Sequence, residues 1–408
     1  MAYRTITLPC GLRLVHTSSA TDVTYCGFCI DAGTRDEHAD ESGMAHFIEH
    51  LLFKGTTHRR AWHILNRLES VGGDLNAFTT KEDTTVYAAV PTHHFQRAAE
   101  LLVDIVFNST FPQNEIDKEV EVIIDEIQSY EDSPSELIFD EFEDLIYHGH
   151  PLGRNILGNP DRLREYTSED ALRFVKRYYQ TQNMVFFVRT SESFDNVVKI
   201  MNRMMTRTGV CAGDVHPQRV APAPYAPQQI VSHRDTHQAH VMLGGRAFDA
   251  VQGKRTGLYV LNNLLGGPGM NSRLNLALRE RRGLVYNVES NLTNYTDTGT
   301  FSIYFGCNTD DVDKCLRICR SELKKLIDTP LSQNQLNAAK QQLKGQLVVA
   351  CDNFENNVLD LAKAYLHYGK TEEMEEIYQR INAITAQDLQ QIASEVFAAD
   401  KLTSLIFQ

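Results

Sequence analysis

The order of segments along this chain repeats, and that repeat limits its fold more than any other feature. "QNEIDKEVEVIIDEIQ" at 113–128 aligns with "QNQLNAAKQQLKGQLV" at 333–348, an offset of 220, and "TSEDALRFV" at 167–175 aligns with "TAQDLQQIA" at 385–393, an offset of 218. Between the copies, four of the twelve prolines fall in "HPQRVAPAPYAPQQ", a density that marks a linker. We therefore divide the chain into a first half at 1–215, a linker at 216–228 and a second half at 229–408. Each half runs strand, helix, helix, strands and then mostly helices, and segments such as "TTVYAAV" and "TFSIYFG" carry the β-branched and aromatic residues of sheet. The expected fold is α+β: two homologous domains, each a mostly antiparallel sheet with helices packed on one face.

Within the first half, "GMAHFIEHLLFKGT" at 43–56 has the apolar spacing of an amphipathic helix at Met44, Phe47, Ile48, Leu51 and Leu52. Ser42 is the expected N-cap and Gly55 the expected stop. On another face lie His46, Glu49 and His50. Residues four apart on a helix stand one above the other, so His46 and His50 can present ring nitrogens to a single ion, with Glu49 beside them. The arrangement is H-x-x-E-H, the reverse of the thermolysin-type order and a metalloprotease signature. The competing reading, a surface helix with chance histidines, is weakened by the repeat. "HFIEHLL" at 46–52 aligns with "YVLNNLL" at 259–265, where Tyr259, Asn262 and Asn263 replace the three polar residues and the apolar frame is kept.

A catalytic zinc site ordinarily has three protein ligands and one open position. In "NEIDKEVEVIIDEIQSYEDS" the apolar stripe is Ile116, Val120, Ile123 and Ile127. Glu119 and Glu126, seven apart, lie within about 20° of each other along its border. Their repeat counterparts are Ala339 and Gln346. Glu126 is the expected third ligand and Glu119 a carboxylate behind the ligands, while Glu121 and Asp125 point more towards solvent. Zinc in such a site lowers the pKa of water and polarises a peptide carbonyl, and Glu49 is placed as general base. The reaction implied is peptide-bond hydrolysis without an acyl-enzyme.

Composition narrows the partners. At 408 residues and 42% hydrophobic content the chain is an ordinary globular one. Its formal charge of −13 argues against nucleic acid or an anionic membrane, which are bound through concentrated Lys and Arg. Basic or neutral ligands are easier to accommodate. No run of about 18 apolar residues occurs, and the N-terminus does not read as a leader, so a soluble, cytoplasmic protein is expected. Eight cysteines are too few for a disulfide scaffold. Cys26 and Cys29, in a "CGFC" that reads as strand, are expected to be buried structural thiols, as are Cys315 and Cys319.

With these residues in place, the chain resembles the pitrilysin/insulinase family of inverted-motif zinc peptidases, and most closely its bacterial, processing-peptidase-like members. The resemblance spans nearly the whole chain. In that family the third ligand is a Glu about 76 residues past the second His, with another Glu seven before it, which matches Glu126 and Glu119. "HPLGRNILG" at 150–158 is similar as well. "LRERRGLVY" resembles an Arg and Tyr pair, here Arg279 and Tyr286, which the resemblance implies holds substrate and steadies charge on the reacting carbonyl. "GGDLNAFTTKEDTTVYA" resembles a substrate-binding edge strand, with Asn76, Ala77 and Phe78 nearest the cleft. The Gly-rich segment at 266–269 looks like a mobile loop near that cleft and lacks the context of a phosphate loop. The family implies one Zn2+ per chain, a peptide or unfolded polypeptide as substrate, and a homodimer. The alternative is a non-catalytic or heterodimer-dependent subunit of a processing-peptidase-like complex.

Overall fold

A computed structural model describes residues 3–210, 217–234 and 236–408. The chain forms two compact units. In the first, six strands, β1 (Tyr3–Thr7), β2 (Arg13–Ser18), β3 (Val23–Ile30), β4 (Asp74–Thr79), β5 (Thr84–Pro91) and β6 (Met184–Thr190), make one sheet in the order β1-β2-β6-β3-β5-β4. Among the described strands of this sheet only the β2 and β6 pair is parallel. In the second unit, β7 (Gln229–Ser232), β8 (Ala239–Ala247), β9 (Val285–Asn294), β10 (Gly299–Cys307) and β11 (Thr403–Phe407) run β7-β11-β8-β10-β9, again with one parallel pair, β7 and β11. Apart from β1, the second order repeats the first strand for strand, so the sequence repeat is a repeat of topology.

Each sheet is covered on one face by helices of its own half. In the first unit these include α1 (Met44–Leu51), α2 (Ala61–Glu69), α3 (Phe95–Phe107) and α4 (Gln113–Glu131). Alternation along β3 turns Cys26, Phe28 and Ile30 into the core with these helices and sends Cys29 to the opposite face. Cys26 and Cys29 are thus buried on different sides of the sheet and cannot share a ligand or a bond. Cys315 and Cys319 are buried too.

The second face of each sheet is covered by a helix from the other half of the sequence, a layer absent from the expectation of helices on one face. The first unit comprises residues up to Gln128, Arg154–Arg219 and Cys351–Glu373, and the second Ser129–Gly153, Val220–Ala350 and Met374–Gln408. The main change of unit, Arg219 to Val220, falls inside the proline-rich linker; the exchanged segments do not follow the division at 215 and 229. Helix Phe354–Tyr368 lays Val358, Leu361, Ala362 and Leu366 on Val15, Cys29, Val185 and Phe187. Its polar side is fixed by Lys363 to Asp83 at 2.8 Å and by Glu355 accepting from the Tyr87 hydroxyl at 2.7 Å. Helix α5 (Pro134–Ile146) does the same for the second sheet, packing Leu137, Ile138, Phe142 and Ile146 with Met242, Tyr304, Leu405 and Phe407. Burying apolar side chains on both faces removes roughly 1.5–3 kcal/mol of exposure cost for each large residue.

Candidate metal centre

The centre is built on α1, and the start of that helix is held by tertiary contacts. The N-cap is Gly43, in the left-handed region at φ +83°, with no side-chain cap of its own. The expected cap, Ser42, instead offers its carbonyl to the Tyr166 hydroxyl at 3.0 Å. The free helix N–H groups are taken by the buried Glu37 carboxylate, which accepts from Gly43 N at 3.0 Å and Ala45 N at 2.9 Å. A β-carbon at Gly43 would lie 2.7 Å from Gly158 Cα, so the 150–158 segment crosses the helix start backbone to backbone. Arg154 of that segment donates to the Glu37 carbonyl at 2.8 Å. The helix stops at Leu51, earlier than Gly55.

Met44, Phe47, Ile48 and Leu51 are buried, as their spacing predicts, and this aims His46, Glu49 and His50 away from the core. On α4 the buried stripe is Ile116, Val120, Ile123, Ile124 and Ile127, and it turns Glu119 and Glu126 towards α1 while Glu121 and Asp125 are exposed. His46 Nε2 lies 3.9 Å and His50 Nε2 3.7 Å from the same atom, Glu126 Oε2. One donor atom from each of the three lies within 4.8 Å of the others, the sole such group of three or more among the described residues. These separations are too long for hydrogen bonds. Ligand bonds of about 2.0–2.2 Å to one ion leave neighbouring donor atoms more than about 3 Å apart, so the gap suits zinc.

The surroundings prepare these atoms. Burial, with His50 nearby, lowers the pKa of His46 to about 3, so its imidazole is neutral and keeps a lone pair. His50 Nδ1 lies 3.0 Å from Glu119 Oε1 and donates to it, which fixes the ring with Nε2 facing Glu126. Glu119 is locked from its other side by Lys54 Nζ at 2.6 Å. Burial pushes the Glu119 carboxyl up, but His50 and Lys54 outweigh it and hold it below the usual range. Glu49 goes the other way: burial raises it, opposed by hydrogen bonding from Thr79 on β4, and its Oε2 is buried with no partner among the described residues. Lys54, Thr79 and Glu37 escaped the sequence reading. Lys54 alone left a trace, four residues after His50.

β4 is the terminal strand of its sheet, paired only with β5 among the described strands. Its residues divide between two faces. Ala77 packs into the core that contains α1, whereas Phe78 packs on the opposite face, and Asn76 is exposed with its amide on Asp74 at 2.9 Å. In the second unit, Arg279 and Tyr286 come together at the other terminal strand, β9, with the guanidinium 5.9 Å from the ring centre and Tyr286 84% exposed. In the Gly-rich segment, a β-carbon at Gly266 would lie 2.6 Å from Ser290 N, so that glycine lets its helix pack on β9. Among the described residues no helix is long and apolar enough to cross a membrane.

A duplicated α+β chain with an inverted His-Glu-His helix defines a metallopeptidase-type architecture, and comparison with known proteins specifies it. The family described as "Insulinase (Peptidase family M16)" matches residues 13–160, and "Peptidase M16 inactive domain" matches 165–343. YmxG of Bacillus subtilis, described as an uncharacterized zinc protease, is 31% identical over 97% of this chain and 96% of its own length. A Streptomyces coelicolor protein of the same description is 32% identical over 99% of this chain and 89% of its own. The chain belongs to the M16 peptidase family. Its fold matches the crystal structure of a protease from Helicobacter pylori, with a TM-score of 0.90, 22% identity and coverage of 100% and 99% of the two chains. It also matches a peptidase M16 inactive domain from Pseudomonas fluorescens, with a TM-score of 0.92, 18% identity and coverage of 100% and 98%.

Proposed function

We propose that this protein is a zinc-dependent endopeptidase that hydrolyses peptides or unfolded polypeptide segments, with one Zn2+ per chain held by His46, His50 and Glu126. The observation that carries the reading is the convergence of three donor atoms that do not bond to one another, beside a buried carboxylate with a free oxygen. Bound there, zinc supplies Lewis acidity towards a water and a peptide carbonyl oxygen. Glu49 takes the proton of the attacking water and returns it to the leaving nitrogen as the C–N bond breaks. Glu119 fixes the His50 ring. The β4 edge at Asn76, Ala77 and Phe78 accepts the substrate backbone as an added strand, which needs its main chain rather than its side chains. Arg279 and Tyr286 steady the negative charge that grows on the carbonyl oxygen. A homodimer working in the cytoplasm completes the reading, since one chain carries both sets of residues.

The test compares the purified protein with Glu49→Gln for bound zinc and for cleavage of a mixed peptide library. The expected result is about one zinc in each and a rate about 10²–10⁴-fold lower in the variant. Zinc bound without cleavage by the parent, even with lysate fractions that supply a partner, would replace this reading by a non-catalytic subunit.

A further inference from the structure

Beyond the metal centre, a pocket of about 310 Å³ opens on the first unit at the start of α2, lined by His58, Arg59, Trp62, His63, Arg67 and Arg97 among others. Among the described residues its lining includes no acidic side chain. The carboxylates paired with its basic side chains are Glu100 and Asp104, the latter also 2.7 Å from His58 Nδ1. Arg59 is bound to both of them, and Arg67 reaches Glu100 with one amine at 3.1 Å. Among the described residues Arg67 Nε is buried without a partner. Arg97 donates to the Arg67 carbonyl at 2.6 Å and to Ser70 Oγ at 3.2 Å, neither of which neutralises its charge. Three guanidinium groups therefore face two carboxylates. On the same helix, Trp62 is 67% and Leu65 48% exposed, three residues apart and so on one side.

We infer that this pocket docks an acidic segment of a partner polypeptide, with carboxylates on Arg67 and Arg97 and a neighbouring apolar side chain on Trp62 and Leu65. Planar guanidinium groups take carboxylates in paired hydrogen bonds, and arginine and tryptophan are both enriched at the centres of binding surfaces. A short acidic peptide suits the site better than a nucleic acid. The −13 charge of the chain repels an extended polyanion, whereas a few carboxylates meet only the local positive field. The site is separate from the metal centre, so its occupancy is read without catalysis.

Trp62 is the chain's single tryptophan, so its fluorescence reports on this pocket. The full chain carrying Glu49→Gln, used to slow any cleavage of the probe, would be titrated with acetyl-Glu-Glu-Leu-Glu-Glu-amide and with its glutamine counterpart. We expect a saturable emission shift with the acidic peptide, weakened by salt, and binding about tenfold or more weaker for the glutamine peptide and for Arg67→Ala/Arg97→Ala. Arg97→Gln, which touches no carboxylate partner, serves where the double variant does not fold, and is expected to weaken binding in the same direction. Equal responses to the two peptides, or undiminished binding by a folded variant, would overturn the inference. So would saturation by a single-stranded oligonucleotide with no response to the peptide.

Discussion

Helix α1 and helix Arg255–Gly266 occupy matching places in the two units, each packed against the terminal strand of its sheet. They differ in what their polar residues do. In the second unit the Tyr259 hydroxyl donates to Asn294 Oδ1 at 2.8 Å, Asn262 Nδ2 donates to the Ser290 carbonyl at 3.0 Å, and Ser290 Oγ donates to the Asn262 carbonyl at 3.0 Å. These side chains and main-chain groups tie the helix to β9. In the first unit His46 and His50 turn towards Glu126 and Glu49 is hydrogen-bonded by Thr79 of β4, while Glu49 Oε2 and His46 Nδ1 are buried without partners among the described residues. An unpaired buried polar group costs about 1–3 kcal/mol. One copy of the element ties its polar side chains to its own strand, although Asn262 Oδ1 is also buried without a partner among the described residues, and the other turns His46 and His50 to a point that a bound ion would fill.

The comparison breaks first if the ligands are wrong. His46→Ala and Glu126→Gln are each expected to reduce bound zinc from about one per chain to near none, measured by elemental analysis, with cleavage lost alongside, whereas Tyr259→Phe leaves the zinc unchanged. Zinc retained in full by either ligand variant would remove that residue from the centre. A smaller effect is expected behind the ligands. Glu119→Gln should weaken zinc by about 10–100-fold in competition with a chelator, because the amide has one acceptor oxygen for both His50 and Lys54 and loses the negative charge behind the imidazole; unchanged affinity would reduce Glu119 to a partner of Lys54.

The smallest effect sharpens the contrast most. In metal-free protein, Asn262→Ala should lower stability by about 1 kcal/mol through loss of its bond to Ser290. Glu49→Leu should leave stability equal or higher, since it removes a buried carboxyl with an unpaired oxygen. Urea unfolding of both variants and the parent measures the difference. If Glu49→Leu costs as much as Asn262→Ala, Glu49 is a structural residue and the contrast fails.

Much of this was legible from local pattern. The spacing of Met44, Phe47, Ile48 and Leu51 oriented His46 and His50, and the stripe from Ile116 to Ile127 placed Glu119 and Glu126 on one border. The second layer on each sheet was not anticipated, although "MVFFV" in β6 is buried throughout and such a continuous apolar run marks a strand covered on both sides. Asn76 and Phe78, grouped with Ala77 by position, lie on the other face because strand residues alternate.

The sequence by itself determined the repeat, the helices and the residues each presents, because hydrogen bonding at a fixed 3.6 residues per turn makes the direction of a side chain a local property. Tertiary structure alone decided that Glu37 caps α1 in place of Ser42, and that Lys54 and His50 share Glu119. It alone decided that Phe354–Tyr368 covers a sheet built more than 160 residues earlier in the chain. Each of these joins positions on separate elements, or across an irregular turn. Their separation follows from how side chains fill the space between elements, which no local periodicity encodes.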